Sequence, residues 1–74
     1  MFYHINMNKF ATRLKDLRIE KNISRKKLAN DLFVSERLVL YWENGKRECS
    51  FDMLIQISQY FDVTIGYLLG IEND

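Results

Sequence analysis

The 74-residue sequence has no proline, one cysteine, one histidine and three glycines. The single Cys49 cannot form an internal disulfide, and a free thiol suits the cytoplasm. The lone His4 has no cysteine, histidine or acid at ligand spacing, which argues against a metal site. No apolar run approaches the roughly 20 residues of a membrane span, and no signal peptide is visible. We therefore expect a cytoplasmic chain with no metal, cofactor, small-molecule ligand or membrane contact.

A catalytic set of residues is also missing. A nucleophile needs an activating base and an orienting group, but the one histidine is near the terminus and nothing in the sequence activates Cys49. A chain this short buries only roughly 60% of its unfolded surface, which leaves little room for a deep cleft. We expect a small binding module and not an enzyme.

Positive charge is absent from the last third of the chain. All eleven lysines and arginines lie in residues 1–47 with five acids, a net charge of +6, whereas residues 48–74 hold five acids and no base, a net charge of −5. Such asymmetry favours one face for a polyanion and another face for a different contact. A basic surface that is simply solvated would give the same count.

The remaining residues are patterned for helices. Apolar residues recur at helical spacing, and β-branched alternation is missing. Residues that favour helix starts and stops predict five short helices, with bounds near Asn8–Lys21, Ser24–Leu32, Ser35–Glu43, Ser50–Phe61 and Thr64–Gly70. The sequence therefore predicts an all-α domain.

The second of these helices begins with a run of cations. Arg25, Lys26 and Lys27 fill its first turn, at the positive end of the helix dipole, where each is unfavourable by about 0.3–1 kcal/mol. A bound phosphate would compensate, because it would meet free backbone N–H groups as well as the cations. The alternative is that the cations bend into solvent. We expect phosphate contact from at least Arg25.

The third helix follows the second after a short turn at Phe33-Val34. It is about 12 Å long, close to the width of the DNA major groove. Two short helices at a tight turn are typical of a helix-turn-helix, in which the small Ala29 permits a close crossing. Val34, Val39 and Trp42 should then turn inward. The outward side carries Glu36, Arg37, Leu38, Leu40 and Tyr41.

Linked motifs cover most of the chain in a fixed order: RLKDLR at 13–18, ISRKKLA at 23–29, VSERLVLYWENGK at 34–46, LIQISQYFDV at 54–63 and YLLG at 67–70. They resemble the Cro/C1-type helix-turn-helix family, also called the XRE family, of bacterial and phage transcriptional regulators. The resemblance implies a compact lambda-repressor-like DNA-binding domain at residues 9–70, with an N-terminal arm at 1–8 and a tail at 71–74. It also implies a cytoplasmic, nucleoid-associated protein.

By position, the resemblance implies three sets of functional residues. The base-reading set comprises Glu36, Arg37, Leu38, Leu40 and Tyr41. The set that holds phosphates comprises Ser24, Arg25, Lys26, Ser35, Asn44, Lys46 and Arg47. Arg18 and Glu43 stand where the family commonly forms a buried or half-buried ion pair.

The sequence departs from the family pattern at several positions. Phe33 occupies a turn position where the family usually has glycine, so a left-handed backbone there is either relaxed or strained. Lys27 replaces the acid that would complete a capping box with Ser24. Leu38, Leu40 and Tyr41 are apolar where the family is usually polar.

The apolar outer face has two interpretations. On DNA, Leu38 or Leu40 would contact thymine methyl groups, while Arg37 would read guanine O6 and N7. Alternatively, the face binds a protein, as in an antitoxin-like interaction module. We favour DNA, because the flanking basic residues would otherwise lack a purpose.

These observations predict a sequence-specific repressor that inserts the helix from Ser35 to Glu43 into the major groove of a near-palindromic operator. Its partners would be double-stranded DNA and a second copy of the chain. The expected dimer surface lies in the acidic C-terminal part, at Tyr67, Leu68, Leu69 and Ile71. The alternative for Leu68 and Leu69 is that they close the core of the monomer.

Overall fold

A computed structural model describes residues 7–71, which form five α-helices and contain no strand. The helices are α1 (Met7–Glu20), α2 (Arg25–Leu32), α3 (Glu36–Glu43), α4 (Phe51–Phe61) and α5 (Ile65–Leu69). The predicted all-α class with five helices is confirmed. Because α1 begins at Met7, the last two residues of the predicted arm belong to the helix. Residues 1–6 of the arm and 72–74 of the tail lie outside the described residues.

A hydroxyl side chain caps the start of each of the other four helices. Ser24, Ser35, Ser50 and Thr64 have extended backbones, and each side-chain oxygen accepts from the backbone N–H three residues later. The four donor-to-acceptor distances lie between 2.9 and 3.2 Å. These bonds satisfy N–H groups that have no partner within the helix. The four predicted helix starts are therefore confirmed.

The core forms where α3 packs against α1 and α2, and where α5 packs against α1 and α4. Its buried apolar members include Phe10, Leu14, Leu28, Leu32, Val39, Trp42, Leu54, Ile57 and Leu68. The predicted inward orientation of Val39 and Trp42 is confirmed, and Val34 packs partly against the same core. Ala29 is buried in α2, which packs closely against α3.

The position of Leu68 contradicts its predicted place on the dimer surface. It was expected on a dimer surface, but its side chain is fully buried in the core of the monomer. A residue with no exposed surface in the monomer cannot bury more surface against a second copy. Leu68 closes the core, which was the alternative interpretation. Leu69 also packs partly against the core, whereas Ile71 is 62% exposed.

The last helix, α5, ends at Gly70, a position that only glycine fits without strain. Gly70 has φ +79°, in the left-handed region, and its N–H donates to the carbonyl of Tyr67 at 3.1 Å. A Cβ atom at this position would lie 2.7 Å from both Cβ and Cγ of Lys9 on α1. Gly70 therefore lets the end of α5 approach the start of α1.

Phe33 adopts a left-handed conformation in the turn between α2 and α3. Its φ and ψ are 59° and 41°, and the residue is 93% exposed. The next N–H, of Val34, donates to the carbonyl of Ala29 at 3.0 Å and closes α2. The backbone thus keeps the geometry that glycine favours, and the aromatic ring gains little burial in return.

We expect Phe33→Gly to raise the free energy of unfolding by about 0.5–1 kcal/mol. The left-handed conformation costs an L-residue about 1–2 kcal/mol, and the greater freedom of glycine in the unfolded chain offsets part of that gain. Urea denaturation followed by circular dichroism measures the change. Phe33→Ala is the control, because it removes the ring and keeps the strained Cβ. Equal stabilities for the glycine and alanine variants would contradict the explanation.

Candidate nucleic-acid interface

The outer side of α3 is more polar than the sequence suggested. Glu36 and Arg37 are exposed, whereas Leu38, Leu40 and Tyr41 are half-buried. Leu38 also packs against the core. In residues 7–71 the strongly exposed large apolar side chains are Ile19, Phe33, Phe51 and Ile71, none of which lies on α3. The helix therefore presents charge at its tip with partly covered apolar groups behind it.

A shallow depression lies beside this face. It is lined by Ser35, Arg37, Leu38, Tyr41 and Arg47. Two guanidinium groups thus meet an apolar side chain and a phenol ring at one surface concavity. Such a lining suits a ligand that carries both negative charge and small apolar groups, as the edge of a nucleic-acid groove does.

The loop after α3 brings further cations to the end of this helix. Asn44 donates its N–H to the carbonyl of Leu40 at 3.0 Å, and Lys46 donates its N–H to the carbonyl of Tyr41 at 2.8 Å. Gly45 between them has φ 72°. The turn leaves the side chains of Asn44, Lys46 and Arg47 exposed.

At the start of α2, the three cations have different surroundings. Lys26 is exposed, and Lys27 is exposed while its Nζ lies 3.1 Å from the carboxylate of Asp31. Arg25 is half-buried and lies against Glu43. Ser24 accepts the N–H of Lys27, so it caps the helix without the acid of a capping box.

The carboxylate of Glu43 accepts hydrogen bonds from two arginines. Its carboxylate has no exposed side-chain surface and accepts from Arg18 Nε at 2.7 Å and Arg18 Nη2 at 3.2 Å. Arg25 Nε donates to the same carboxylate at 3.0 Å. Arg18 Nη1 donates to the carbonyl of Ile23 at 2.9 Å. The expected pair of Arg18 and Glu43 is thus in contact, and Arg25 is a third member that the sequence did not indicate.

A second polar contact that the sequence analysis missed joins α2 to α4. The hydroxyl of Tyr60 donates to Asp31 at 2.5 Å, and Lys27 contacts the same carboxylate. The hydrogen bond from Tyr60, followed by that from Lys27, lowers the pKa of Asp31. Burial, with a smaller effect of Asp31, raises the pKa of Tyr60 to about 12. Only the spacing of Lys27 and Asp31, one helical turn apart, was a signal in the sequence.

The C-terminal helix is tied to α1 by Arg13. The Arg13 guanidinium lies 4.3 Å from the ring centroid of Tyr67 and donates to the Tyr67 carbonyl. This contact keeps Tyr67 half-buried. The part of the predicted dimer surface that remains on the outside of residues 7–71 is formed by Tyr67, Leu69 and Ile71.

The structure also bears on the expectations for metal binding, nucleophilic chemistry and membrane contact. Within residues 7–71 no group of three histidine, cysteine, aspartate or glutamate side chains is placed to hold a metal ion. Burial raises the pKa of the Cys49 thiol to about 12, so it is a poor nucleophile near neutral pH. No helix in this range is long and apolar enough to cross a membrane. His4 lies outside the described residues.

Comparison with known proteins gives consistent matches. The family model for a helix-turn-helix domain matches residues 11–73. The HTH-type transcriptional activator BcrR of Enterococcus faecalis is 39% identical over 64 residues, which are 86% of this chain and 31% of BcrR. The HTH-type transcriptional regulator YqaE of Bacillus subtilis is 32% identical over 65 residues, which are 88% of this chain and 56% of YqaE.

A more distant relative and a solved structure extend the comparison. The phage CTXphi transcriptional repressor RstR of Vibrio cholerae is 23% identical over 61 residues, which are 82% of this chain and 55% of RstR. The chain thus spans between about a third and just over half the length of these three relatives. The restriction-modification controller protein C.AhdI of Aeromonas hydrophila superposes with a TM-score of 0.76 and 26% identity, over 88% of this chain and 98% of C.AhdI.

We expect Arg18→Ala to lower the free energy of unfolding by about 3 kcal/mol or more, because it leaves the buried Glu43 with only one arginine. Arg25→Ala should cost about 1 kcal/mol or less, because the Arg25 side chain is 34% exposed and Arg18 remains. Urea denaturation at neutral pH measures both changes. A cost for Arg25→Ala that equals or exceeds the cost for Arg18→Ala would show that the order is wrong.

Proposed function

The chain belongs to the Cro/C1-type helix-turn-helix family, and from this premise we propose that it is a DNA-binding transcriptional regulator that binds a near-palindromic operator as a homodimer. Each copy inserts α3, from its cap at Ser35 to Glu43, into the major groove. The operator lies on the nucleoid in the cytoplasm.

One observation supports this proposal above all others. The exposed tip of α3, with Glu36 and Arg37, is preceded and followed in the sequence by cations. Arg25 and Lys26 start α2, and Lys46 and Arg47 follow α3. Phosphate contacts from these cations would fix the helix in register, and charge at the tip would then meet base edges.

The base-reading residues divide by chemistry. Arg37 is suited to the O6 and N7 acceptors of guanine, and Glu36 is suited to the amino group of cytosine. Leu38 and Tyr41, which line the depression, offer apolar surface to a thymine methyl group. Leu40 is half-buried and supplies a smaller apolar contact. Ser24, Ser35 and Asn44 lie at helix ends, where they are suited to hold phosphate oxygens.

We propose repression as the regulatory outcome. The named relatives include one activator and one repressor, so family membership leaves the direction open. Repression needs only that the bound protein occupy promoter DNA, whereas activation needs a further productive contact with the transcription machinery. Repression is therefore the simpler outcome for a chain that contacts DNA and a second copy of itself.

The rival function is protein binding through the apolar side of α3. The half-burial of Leu38, Leu40 and Tyr41 weakens it, because a docking patch is usually a broad exposed apolar surface. The two functions can be distinguished by salt, because the affinity for DNA should fall steeply as the salt concentration rises.

The function is tested in two steps. A duplex that binds the chain is first selected from a random-sequence library. The labelled duplex is then titrated with the chain at stepped salt concentrations. We expect the logarithm of the binding constant to fall linearly with the logarithm of salt concentration. Lys46→Ala should reduce the slope by about 1 per subunit, because one phosphate contact is lost. Lys15→Ala is the matched control, since Lys15 is exposed on α1 outside the proposed contacts. Failure to retain any duplex at low salt would favour the rival.

The dimer surface has its own test. Ile71→Glu should shift the protein toward monomer in sedimentation velocity and reduce operator affinity about tenfold or more, because it places a charge where apolar surface is buried. Ile19→Glu is a matched control, because Ile19 is an isoleucine of similar exposure, 55%, on α1. If the dimer persists with Ile71→Glu and dissociates with Ile19→Glu, the dimer interface does not lie at Ile71.

A further inference from the structure

The phosphate contact proposed above was argued without the contact between Arg25 and Glu43, which determines where Arg25 lies. Arg25 Nε donates to Oε1 of Glu43 at 3.0 Å, and the side chain of Arg25 remains 34% exposed. Glu43 itself has no exposed side-chain surface. A partly exposed arginine is thus held at one nitrogen by a carboxylate that is fixed inside the protein.

We propose that Glu43 is a positioning residue for DNA binding, which holds Arg25 through Nε so that the Nη groups meet a backbone phosphate. The proposal rests on the proposed function. Arginine recognises phosphate through a planar fork of N–H donors, so a contact at Nε fixes the plane without occupying the terminal nitrogens. A lysine at this position would keep the charge and lose the fixed plane.

The local charge allows Arg25 to act in this way. One carboxylate faces two guanidinium groups, and Arg18 makes the bidentate contact while Arg25 makes a single one. The cluster of Arg18, Arg25 and Glu43 therefore keeps a net charge of +1. Because Arg18 already pairs with Glu43, Arg25 is oriented by the carboxylate without being neutralised. Its remaining positive charge is available to a phosphate.

The position of the contact in the fold gives it a further consequence. Arg25 is the first residue of α2, and Glu43 is the last residue of α3. The contact links the two helices at the ends remote from the turn at Phe33 and Val34. A phosphate held by Arg25 is thereby placed at a fixed distance from the reading residues of α3. Phosphate contacts of this kind set the register on the duplex. Loosening Arg25 should therefore reduce discrimination between operator and unrelated DNA.

Arg25→Lys tests the proposal, with Arg47→Lys as the comparison. Arg47 is an exposed arginine after α3, and the structure of residues 7–71 gives it no carboxylate contact. Both variants keep the charge, so the salt slope should stay near that of the parent chain. We expect Arg25→Lys to weaken binding to the selected duplex about five- to tenfold more than Arg47→Lys does, and to lower the ratio of its affinities for selected and scrambled duplex.

Glu43→Gln completes a double-mutant cycle with Arg25→Lys. If Glu43 acts through Arg25, Glu43→Gln weakens binding in the parent chain and has little further effect in the chain that already carries Arg25→Lys. A purely structural Glu43 would weaken binding equally in both backgrounds. Circular dichroism first establishes that each variant is folded. Should Glu43→Gln not fold, the comparison of Arg25→Lys with Arg47→Lys decides alone, because both sites are partly or fully exposed.

Each outcome has one meaning. Salt-dependent binding by the parent chain, with the larger loss at Arg25→Lys, supports the positioning role. The same parent binding with equal losses at Arg25→Lys and Arg47→Lys overturns that role and leaves the proposed function standing. Absence of binding by the parent chain at low salt overturns the proposed function and the positioning role together.

Discussion

The buried carboxylate of Glu43 is the constraint on which the arrangement of the first three helices depends. An isolated carboxylate inside a protein is strongly destabilising, so Glu43 can be buried only where donors surround it. Arg18 supplies two of these donors from α1, and Arg25 supplies one from the start of α2. The end of α3 is therefore fixed relative to both neighbouring helices. The direction in which the outer side of α3 faces follows from this junction.

The distribution of charge agrees with this arrangement. The basic half of the chain contains α1 to α3, and part of its positive charge is paired with carboxylates, at Arg18 inside the protein and at Lys27 on its surface. Lys26, Arg37, Lys46 and Arg47 stay exposed. The chain thus separates cations that stabilise the fold from cations that remain available to a polyanion. The net charge of the chain is only +1, because the acids of the C-terminal part offset the positive charge of the basic half.

Local signals in the sequence predicted most of the fold and less of the site. Helix starts at Ser24, Ser35, Ser50 and Thr64 were predictable because a cap depends on residues only three positions apart. The contacts of Arg25 with Glu43 and of Asp31 with Tyr60 join residues 18 and 29 positions apart, and no local pattern encodes them. Leu68 was misplaced because a five-residue helix carries too short a pattern to separate its buried side from its exposed side.

The only tryptophan of the chain, Trp42, directly precedes Glu43 in α3 and is buried in the core. An indole ring in apolar surroundings emits at shorter wavelength than one in water, so the tryptophan fluorescence of this chain originates beside the Glu43 junction. Loosening of that junction, which admits water to the ring, therefore changes the colour of the emitted light. The fold carries an optical reporter, free of any attached dye, at the point that orients α3.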